Sequence, residues 1–140
     1  MEYTIEIPTG EEEELIDDEL MVYNIQQAPP TQEAPFEKIC RCAKDEDGNV
    51  IGGVLACMIM WHVLSVESVW VSEEWRGMGF AAELLEEVEE EARERGCHLV
   101  YLDTFDFQAK GFYEKQGYRV FGELKDMPKG HVRYYMCKEL

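Results

Sequence analysis

"VWVSEEWRGMGFAAELL", residues 69–85, is the stretch of sequence that decides the fold. It begins as an apolar strand, passes through a short acidic loop and enters an amphipathic helix, with Arg76, Gly77 and Gly79 at the junction. The N-terminus of a helix presents free N–H groups and about half a positive charge, and glycines let a ligand approach that backbone closely. The junction therefore predicts an anion site, with a diphosphate as the expected occupant.

The composition of the chain is that of an acidic globular protein. Its 140 residues predict one domain over 1–140, and 46% hydrophobic residues can supply its core. There are 30 acidic residues against 13 basic ones, a net charge of -17, which argues against nucleic acid because phosphate contacts need basic surface. The same charge would attract a cationic substrate, or it would serve solubility alone.

The sequence carries no sign of export, membrane insertion or metal binding. No run approaches the ~18 apolar residues of a membrane-spanning helix, and the first ten residues lack the basic and apolar regions of a signal peptide. The five cysteines are scattered, and neither they nor the three histidines have metal-ligand spacing. We therefore expect a cytoplasmic protein with reduced thiols and no metal.

Periodicity and turn signals predict the order of the elements. A helix after Thr9 leads to a proline-rich linker at 28–35, and a second helix runs from the glycine junction to Gly96, with Glu89 and Arg93 spaced for an ion pair. A short helix is expected at 108–116. Strands are expected at 3–7, 36–44, 50–61, 65–71, 97–105, 118–124 and 131–139. The order is an antiparallel meander, a right-handed βαβ unit and a final hairpin.

Two kinds of nucleotide site compete for the glycine junction. Residues 77–82 fit the G-x-G-x-x-A fingerprint of dinucleotide-binding domains, and Asp103 ends the next strand where a ribose-binding acid is expected. The fingerprint glycines should, however, follow the first strand directly, and the 37 residues after Asp103 are too few for further βα units. The context therefore disfavours a dinucleotide.

The same junction resembles the acetyl coenzyme A signature of the GNAT acetyltransferase superfamily. Residues 76–81 fit R-x-x-G-x-A, and "AKGFYEKQGY" at 109–118 resembles the family's A-x-x-x-Y-E-K-x-G-[FY] pattern. The element order is also similar. The resemblance implies an α/β (α+β) fold whose mixed sheet has an N-terminal meander, a central βαβ unit with splayed parallel strands, and a C-terminal hairpin.

The resemblance also implies where acetyl coenzyme A binds. Tyr113, in the second signature, would protonate the leaving thiolate. Asp106 stands where many relatives have an asparagine, and Lys110 is hypothesised to take over that contact. Strand residues expected along the pantetheine arm are Val69, Trp70 and Val71, and loop residues expected around the pyrophosphate are Arg76, Gly77, Met78, Gly79, Phe80, Ala81 and Ala82.

The function implied is transfer of an acetyl group from acetyl coenzyme A to a primary amine by direct attack in a ternary complex. Glu67 is the candidate base, and strict alternation would put it on one face with Val69 and Val71. Because residues 1–37 hold eleven acids and no Lys or Arg, a cationic small molecule is the favoured acceptor. The alternatives are a non-catalytic acyl coenzyme A module and an enzyme that acetylates a basic protein. A homodimer is permitted by the end of the final hairpin.

Overall fold

The centre of the molecule is one six-stranded mixed sheet, seen in a computed structural model that describes all 140 residues. Its strands are β1 (Phe36–Lys44), β2 (Val50–Ile59), β3 (Val63–Val71), β4 (Leu99–Phe105), β5 (Arg119–Lys125) and β6 (Val132–Glu139). The helices are α1 (Gly10–Gln27), α2 (Phe80–Glu94) and α3 (Lys110–Lys115). The order across the sheet is β1-β2-β3-β4-β6-β5, and only β3 and β4 are parallel. The predicted meander, βαβ unit and hairpin are confirmed.

Helix α2 closes one face of the sheet and forms the core with it. The buried stripe of α2 includes Leu85 and Val88, which belong to one cluster with Ile39, Val54 and Leu64 of the meander. The helix ends as predicted, since Gly96 follows it with a φ of 91° that favours glycine. None of the helices combines the length and apolar character needed to cross a membrane.

The other face of the sheet, called the outer face below, is much less covered. Phe36, Leu55 and Trp70 lie on it. Along each strand they alternate with residues that face the core, and the register of the strands puts all three on the same side of the sheet. Their exposed fractions are 57%, 52% and 51%. Large apolar side chains therefore remain open to solvent on this face.

The predicted strand at 3–7 is wrong. Residues 1–9 form no strand, and Tyr3, Ile5 and Ile7 are 83%, 90% and 94% exposed. Alternation of side chains favours a strand only where a neighbouring strand supplies hydrogen bonds, and none lies beside this segment.

Helix α1 does form, and its N-cap is the one predicted. The Thr9 hydroxyl accepts a hydrogen bond from the Glu12 N–H at 3.2 Å, and the Glu12 carboxylate accepts one from the Thr9 N–H at 2.9 Å. No residue of α1 is buried, however. Residues 1–27, called the N-terminal arm below, thus stand apart from the core.

Glu89 of α2 points into the protein, and its predicted ion pair with Arg93 is wrong. The side chain is 4% exposed and accepts hydrogen bonds from the Tyr118 hydroxyl at 2.6 Å and from the Lys138 ammonium. Lys138 also donates to the Gln116 carbonyl at 2.8 Å. This buried network joins α2 to the last strand, and Arg93 pairs with an exposed glutamate of its own helix instead.

Candidate active site

A cleft opens where the two parallel strands separate. They pair only over Val63–Ser65 and Leu99–Tyr101, although β3 continues to Val71 and β4 to Phe105. The resulting space has a volume of about 650 Å³ and is lined by both strands and the start of α3. The predicted splay is therefore confirmed. Beyond the paired stretch, the backbone N–H and C=O groups of β3 and β4 that face each other across the gap are not hydrogen-bonded to one another.

A β-bulge in β3 sets the position of Glu67. Ala56 pairs with Val66 and Leu55 pairs with Ser68, so Glu67 is an extra residue without a partner. The bulge breaks the alternation: Val69 packs against the core while Glu67 is exposed and lines the cleft. The expectation that Glu67 shares a face with Val69 and Val71 is wrong for this reason.

Glu67 also lies near enough to β2 for its charge to act on Cys57. Burial, and secondarily the charge of Glu67, raise the pKa of the Cys57 thiol, and Cys57 lies on the outer face of the sheet. A carboxylate in this position can be reached from solvent through the open side of the cleft.

The loop between β3 and α2 presents a run of free backbone N–H groups. None of the N–H groups from Gly77 to Ala82 has an acceptor within the chain, and the first bond of the helix end is from the Glu83 N–H to the Gly79 carbonyl at 3.1 Å. Gly77 and Gly79 have φ values of 78° and 86°, and a Cβ added to either would meet no atom within 4 Å. Glycine is needed here for the backbone conformation, which turns the N–H groups outward. Such a loop fits a pyrophosphate.

Arg76 stands between this loop and the cleft. Its Nε donates to the Val71 carbonyl at 2.9 Å, which holds the guanidinium against the end of β3. The side chain is exposed and lines the cleft, so its remaining N–H groups can reach a ligand. The local fold therefore adds a fixed positive charge beside the free N–H groups.

The other predicted coenzyme contacts fall into two groups. Val69, Trp70 and Val71 line the cleft. Lys110 does not line it, since its Nζ lies 4.8 Å from the centroid of the Tyr134 ring. Three further residues form the first turn of α2 and are not among those that line the cleft: Phe80, Ala81 and Ala82. Met78, between the two glycines, does not line it either, and 63% of its surface is exposed.

Tyr113 has a buried ring and reaches the wall of the cleft. The residue is 7% exposed and makes edge-on aromatic contacts with Phe112 and Tyr118. Burial, and then the nearby Asp103 carboxylate, raise the pKa of Tyr113 to about 12. Its hydroxyl is therefore a neutral hydrogen-bond donor throughout the physiological pH range.

Asp106, the departure from the family pattern, serves the fold. Its carboxylate accepts a hydrogen bond from the Val132 N–H at 3.1 Å and contacts the His131 Nδ1 at 2.9 Å. These bonds tie the end of β4 to the start of β6. The residue is not one of those that line the cleft.

Gln108 and Phe107 line the cleft, although no pattern in the sequence predicts them as site residues. The Gln108 Oε1 accepts hydrogen bonds from the Phe105 N–H at 2.9 Å and from the Thr104 hydroxyl at 3.2 Å. Phe105 and Phe107 stack with their centroids 5.1 Å apart. Both aromatics line the cleft beside Asp103, which pairs with Arg133. No motif marks these residues; the only signal was their place directly after the strand whose end opens the cleft.

Comparisons with known proteins agree with this geometry. The sequence profile of the Acetyltransferase (GNAT) family matches residues 4–118. The chain is 34% identical over 117 residues to the blasticidin-S acetyltransferase of Streptomyces morookaense, covering 83% of this chain and 85% of that protein. A crystal structure of an acetyltransferase from Bacillus cereus has a TM-score of 0.92 at 38% identity, covering 99% of this chain and 98% of the other.

A more distant likeness concerns the fold alone. The crystal structure of an aminoglycoside 6'-N-acetyltransferase complexed with coenzyme A has a TM-score of 0.65 at 19% identity, covering 85% of this chain and 77% of that one. Taken with the family profile and the closer relatives, the cleft and its glycine loop leave one conclusion. The chain belongs to the GNAT acetyltransferase family and is an acyltransferase.

Proposed function

We propose that this protein transfers the acetyl group of acetyl coenzyme A to the primary amine of a cationic small molecule. The observation that carries the proposal is the cleft between β3 and β4, which has free N–H groups at its mouth and both Glu67 and Tyr113 on its walls. Membership of the acetyltransferase family supports acetyl transfer. The coenzyme A complex of a protein with the same fold supports the cosubstrate.

The chain offers a place for each part of the cosubstrate. Acetyl coenzyme A supplies the acetyl group as a thioester. The N–H groups of residues 77–82 would donate to its pyrophosphate, and Arg76 would add a positive charge. The unpaired edge of β3 at Val69, Trp70 and Val71 would hydrogen-bond to the pantetheine arm as one strand does to another. Lys110 stays a predicted contact, reached by turning its flexible side chain away from Tyr134.

Glu67 is the proposed general base. A lysine-like amine with a pKa of ~10.4 is neutral only about once in 2,500 molecules at pH 7, which costs about 4.6 kcal/mol. A carboxylate that takes the proton, directly or through a water molecule, offsets part of this cost. The C–N bond forms as the C–S bond breaks, and the amine proton passes to Glu67. The bulge suits this role because it exposes the carboxylate inside the cleft.

Tyr113 is the proposed acid on the opposite wall. Its hydroxyl would donate to the departing sulfur and so stabilise the thiolate. Because its pKa is about 12 and that of a free thiol is about 8.5, full proton transfer is uphill, and the main effect is a strong hydrogen bond. A backbone N–H near Val71 would polarise the carbonyl in the same step.

The charge around the cleft supports a cationic acceptor. Glu67 and Asp103 both line it, and the whole chain has a net charge of -17. Such a field concentrates cations near the protein. The relative named for blasticidin S supports a small molecule rather than a protein as the acceptor.

Release of free thiol from acetyl coenzyme A, measured against a panel of acceptors, tests the proposal. The panel should contain a polyamine, an aminoglycoside, a neutral primary amine of similar size and a lysine-rich peptide. We expect the cationic small molecules to give the highest kcat/KM. Acetyl coenzyme A that raises the melting temperature without any thiol release would indicate a non-catalytic binding module. The peptide as the best acceptor would indicate acetylation of a basic protein.

A further inference from the structure

We propose that the N-terminal arm, residues 1–27, is exchanged between two copies of this chain. In the resulting dimer, the segment Tyr3–Ile7 adds a strand to the free edge of β1 of the second copy, and α1 covers the outer face of that copy's sheet. The proposal concerns assembly and does not depend on the acceptor or on the roles of Glu67 and Tyr113.

The arm carries apolar side chains that nothing in its own chain covers. Leu15, Ile16, Leu20 and Tyr23 are between 57% and 60% exposed, and at 3.6 residues per turn they all fall within about 140° of one side of α1. A helix normally buries an apolar stripe of this width against another element. Burying one such side chain stabilises a protein by about 1.5–3 kcal/mol, so leaving the whole set exposed forfeits as much free energy as folding typically yields, about 5–15 kcal/mol.

The total surface of the chain gives the size of the missing contact. Its solvent-accessible area is 9948 Å², whereas a compact monomer of 16.3 kDa is expected to have about 7,500 Å². The excess is about 2,400 Å² for each chain. Two chains that covered most of it would bury an area in the range of obligate dimers, about 2,000–5,000 Å².

The linker holds the arm away from its own sheet. The Thr31 N–H donates to the Met60 carbonyl at 2.9 Å, and the Trp61 indole donates to the Ala28 carbonyl at 2.8 Å. Pro29 and Pro30 stiffen the chain between these anchors. Every hydrogen bond of the arm is made within the arm or to Ala28. The arm therefore leaves from the turn between β2 and β3 as a fixed extension.

The rest of the chain, residues 28–140, is called the body below. The body of a second copy offers the strand edge and the apolar surface that the arm does not find in its own chain. β1 is an edge strand paired only with β2, so its outward backbone groups are free for an added strand. Tyr3, Ile5 and Ile7 alternate with polar residues, which is the pattern of a strand with one covered face. The exposed apolar side chains of the outer face, described above, would receive the apolar side chains of α1.

Charge favours a dimer in which each arm contacts the body of the other copy over a dimer in which the two arms contact each other. The arm holds nine acidic residues and no Lys or Arg, so two arms would repel each other. β1 carries Lys38 and Lys44, and β6 carries Arg133 on the outer face beside Asp103. The rest of the chain is itself acidic overall, with 21 acids and 13 basic residues, but contact with it brings the acids of the arm near these cations, whereas contact between two arms offers no cation at all.

The extended arm is shared with a crystallised relative. The Bacillus cereus acetyltransferase superposes over 99% of this chain with a TM-score of 0.92, and the arm makes up about a fifth of the chain. A score that high requires most of the arm to superpose as well. The arm thus stands away from the body in a protein that exists as an ordered crystal, where an uncovered apolar helix would be unfavourable.

Light scattering and hydrogen exchange of the wild-type protein give the first test. We expect a dimer of about 33 kDa, twice the 16.3 kDa of the chain, that persists on dilution. The amides of residues 3–7 should exchange slowly. A monomer would overturn the proposal, whether its arm exchanged rapidly or was protected by folding back onto its own body.

Two matched double variants of α1 give the second test. Ile16→Glu with Leu20→Glu should convert the dimer to a monomer, with the dissociation constant raised at least about 100-fold, while circular dichroism stays that of a folded protein. Folding of the body should not suffer, because both side chains are exposed in the single chain. The control, Glu13→Gln with Glu14→Gln, changes two residues of the same helix and should stay dimeric. A dimer that survives the first double variant would overturn the proposal.

Mixing distinguishes exchange from a side-by-side dimer that leaves the arms free. Leu55→Glu damages the outer face but keeps the arm, and the Ile16→Glu, Leu20→Glu chain keeps the face. Each alone should be monomeric, and the mixture should give a heterodimer by native mass spectrometry, since one intact arm can dock on one intact face. A mixture that stays monomeric, at a concentration where the wild type is fully dimeric, would overturn arm exchange.

Discussion

At the scale of single residues, the two proposed catalytic groups are held in different ways. Tyr113 is fixed by packing, because the residue is 7% exposed and its ring lies against two other aromatic rings. Glu67 is placed by the backbone, because the bulge puts this residue in the cleft and takes it off the face that Val69 shares with the core. The first could be predicted from a motif. The second could not, since a bulge depends on the register of two strands.

Tyr113→Phe should lower kcat by about 10²–10³-fold and leave the KM for acetyl coenzyme A nearly unchanged, because only one hydrogen-bond donor to the departing sulfur is lost. Tyr135→Phe, which removes a hydroxyl outside the cleft, is the matched control and should keep wild-type turnover. Thiol release under saturating acceptor measures both. A Tyr113→Phe enzyme with full turnover would contradict the acid role.

The pH dependence of turnover offers a separate check on Tyr113. Burial raises its pKa to about 12, from an ordinary value near 10, so the donor is present at every lower pH and is lost only as the pH rises through about 12. The alkaline side of the kcat profile should therefore show no loss due to Tyr113 up to about pH 11. A loss centred near pH 10 that disappears in Tyr113→Phe would show that the tyrosine titrates normally.

Glu89→Ala should lower the free energy of unfolding by about 3–5 kcal/mol, because it leaves the partly buried Lys138 ammonium without its carboxylate. Glu90→Ala on the same helix removes an exposed partner of Arg93 and should cost less than about 1 kcal/mol. Urea denaturation of the two variants measures the difference. Equal losses would mean that the buried network contributes no more than a surface pair.

At the scale of elements, a substitution in the glycine loop should affect binding of acetyl coenzyme A much more than it affects folding of the domain. Gly77→Val should abolish measurable binding of acetyl coenzyme A, because the loop can no longer hold its N–H groups in the same direction. Gly48→Val is the matched control, since Gly48 has a φ of 82° in the turn between β1 and β2 and its added Cβ also meets nothing within 4 Å.

Both glycine variants should lose about 1–2 kcal/mol of stability from the left-handed backbone, as measured by denaturation. Only Gly77→Val should lose binding, as measured by titration calorimetry. Binding that survives in Gly77→Val would remove the proposed pyrophosphate site.

Elements were predictable where their signals are local. Helix α2, with its apolar stripe and terminal glycine, follows from a periodicity that needs no partner. The segment at 3–7 has an equally clear alternation, but alternation becomes a strand only beside another edge. Glu89 faces the core because Tyr118 and Lys138, far away in sequence, meet it there. Such contacts are set by the tertiary fold.

At the scale of the whole molecule, charge should act on the acceptor through salt. With a net charge of -17, kcat/KM for a polyamine should fall about tenfold between ~20 mM and ~500 mM sodium chloride, because screening shortens the reach of the field. A neutral amine of similar size should be unaffected. Parallel salt series with the two acceptors measure the contrast, and equal salt effects on both would argue against electrostatic capture of the acceptor.

Because Glu67 lies in a bulge, the chain should be able to lose this residue and keep its fold. Because Glu67 is an extra residue, loss of its codon would leave Val66 and Val69 facing the core and Ser68 and Trp70 facing outward, as they do now. The strand would only lose a bend. We therefore expect a chain lacking residue 67 to fold with the same core and a narrower cleft. With Glu67 as the proposed base, the deletion variant should also release no thiol from acetyl coenzyme A, and a crystal structure of it would show whether the strands close.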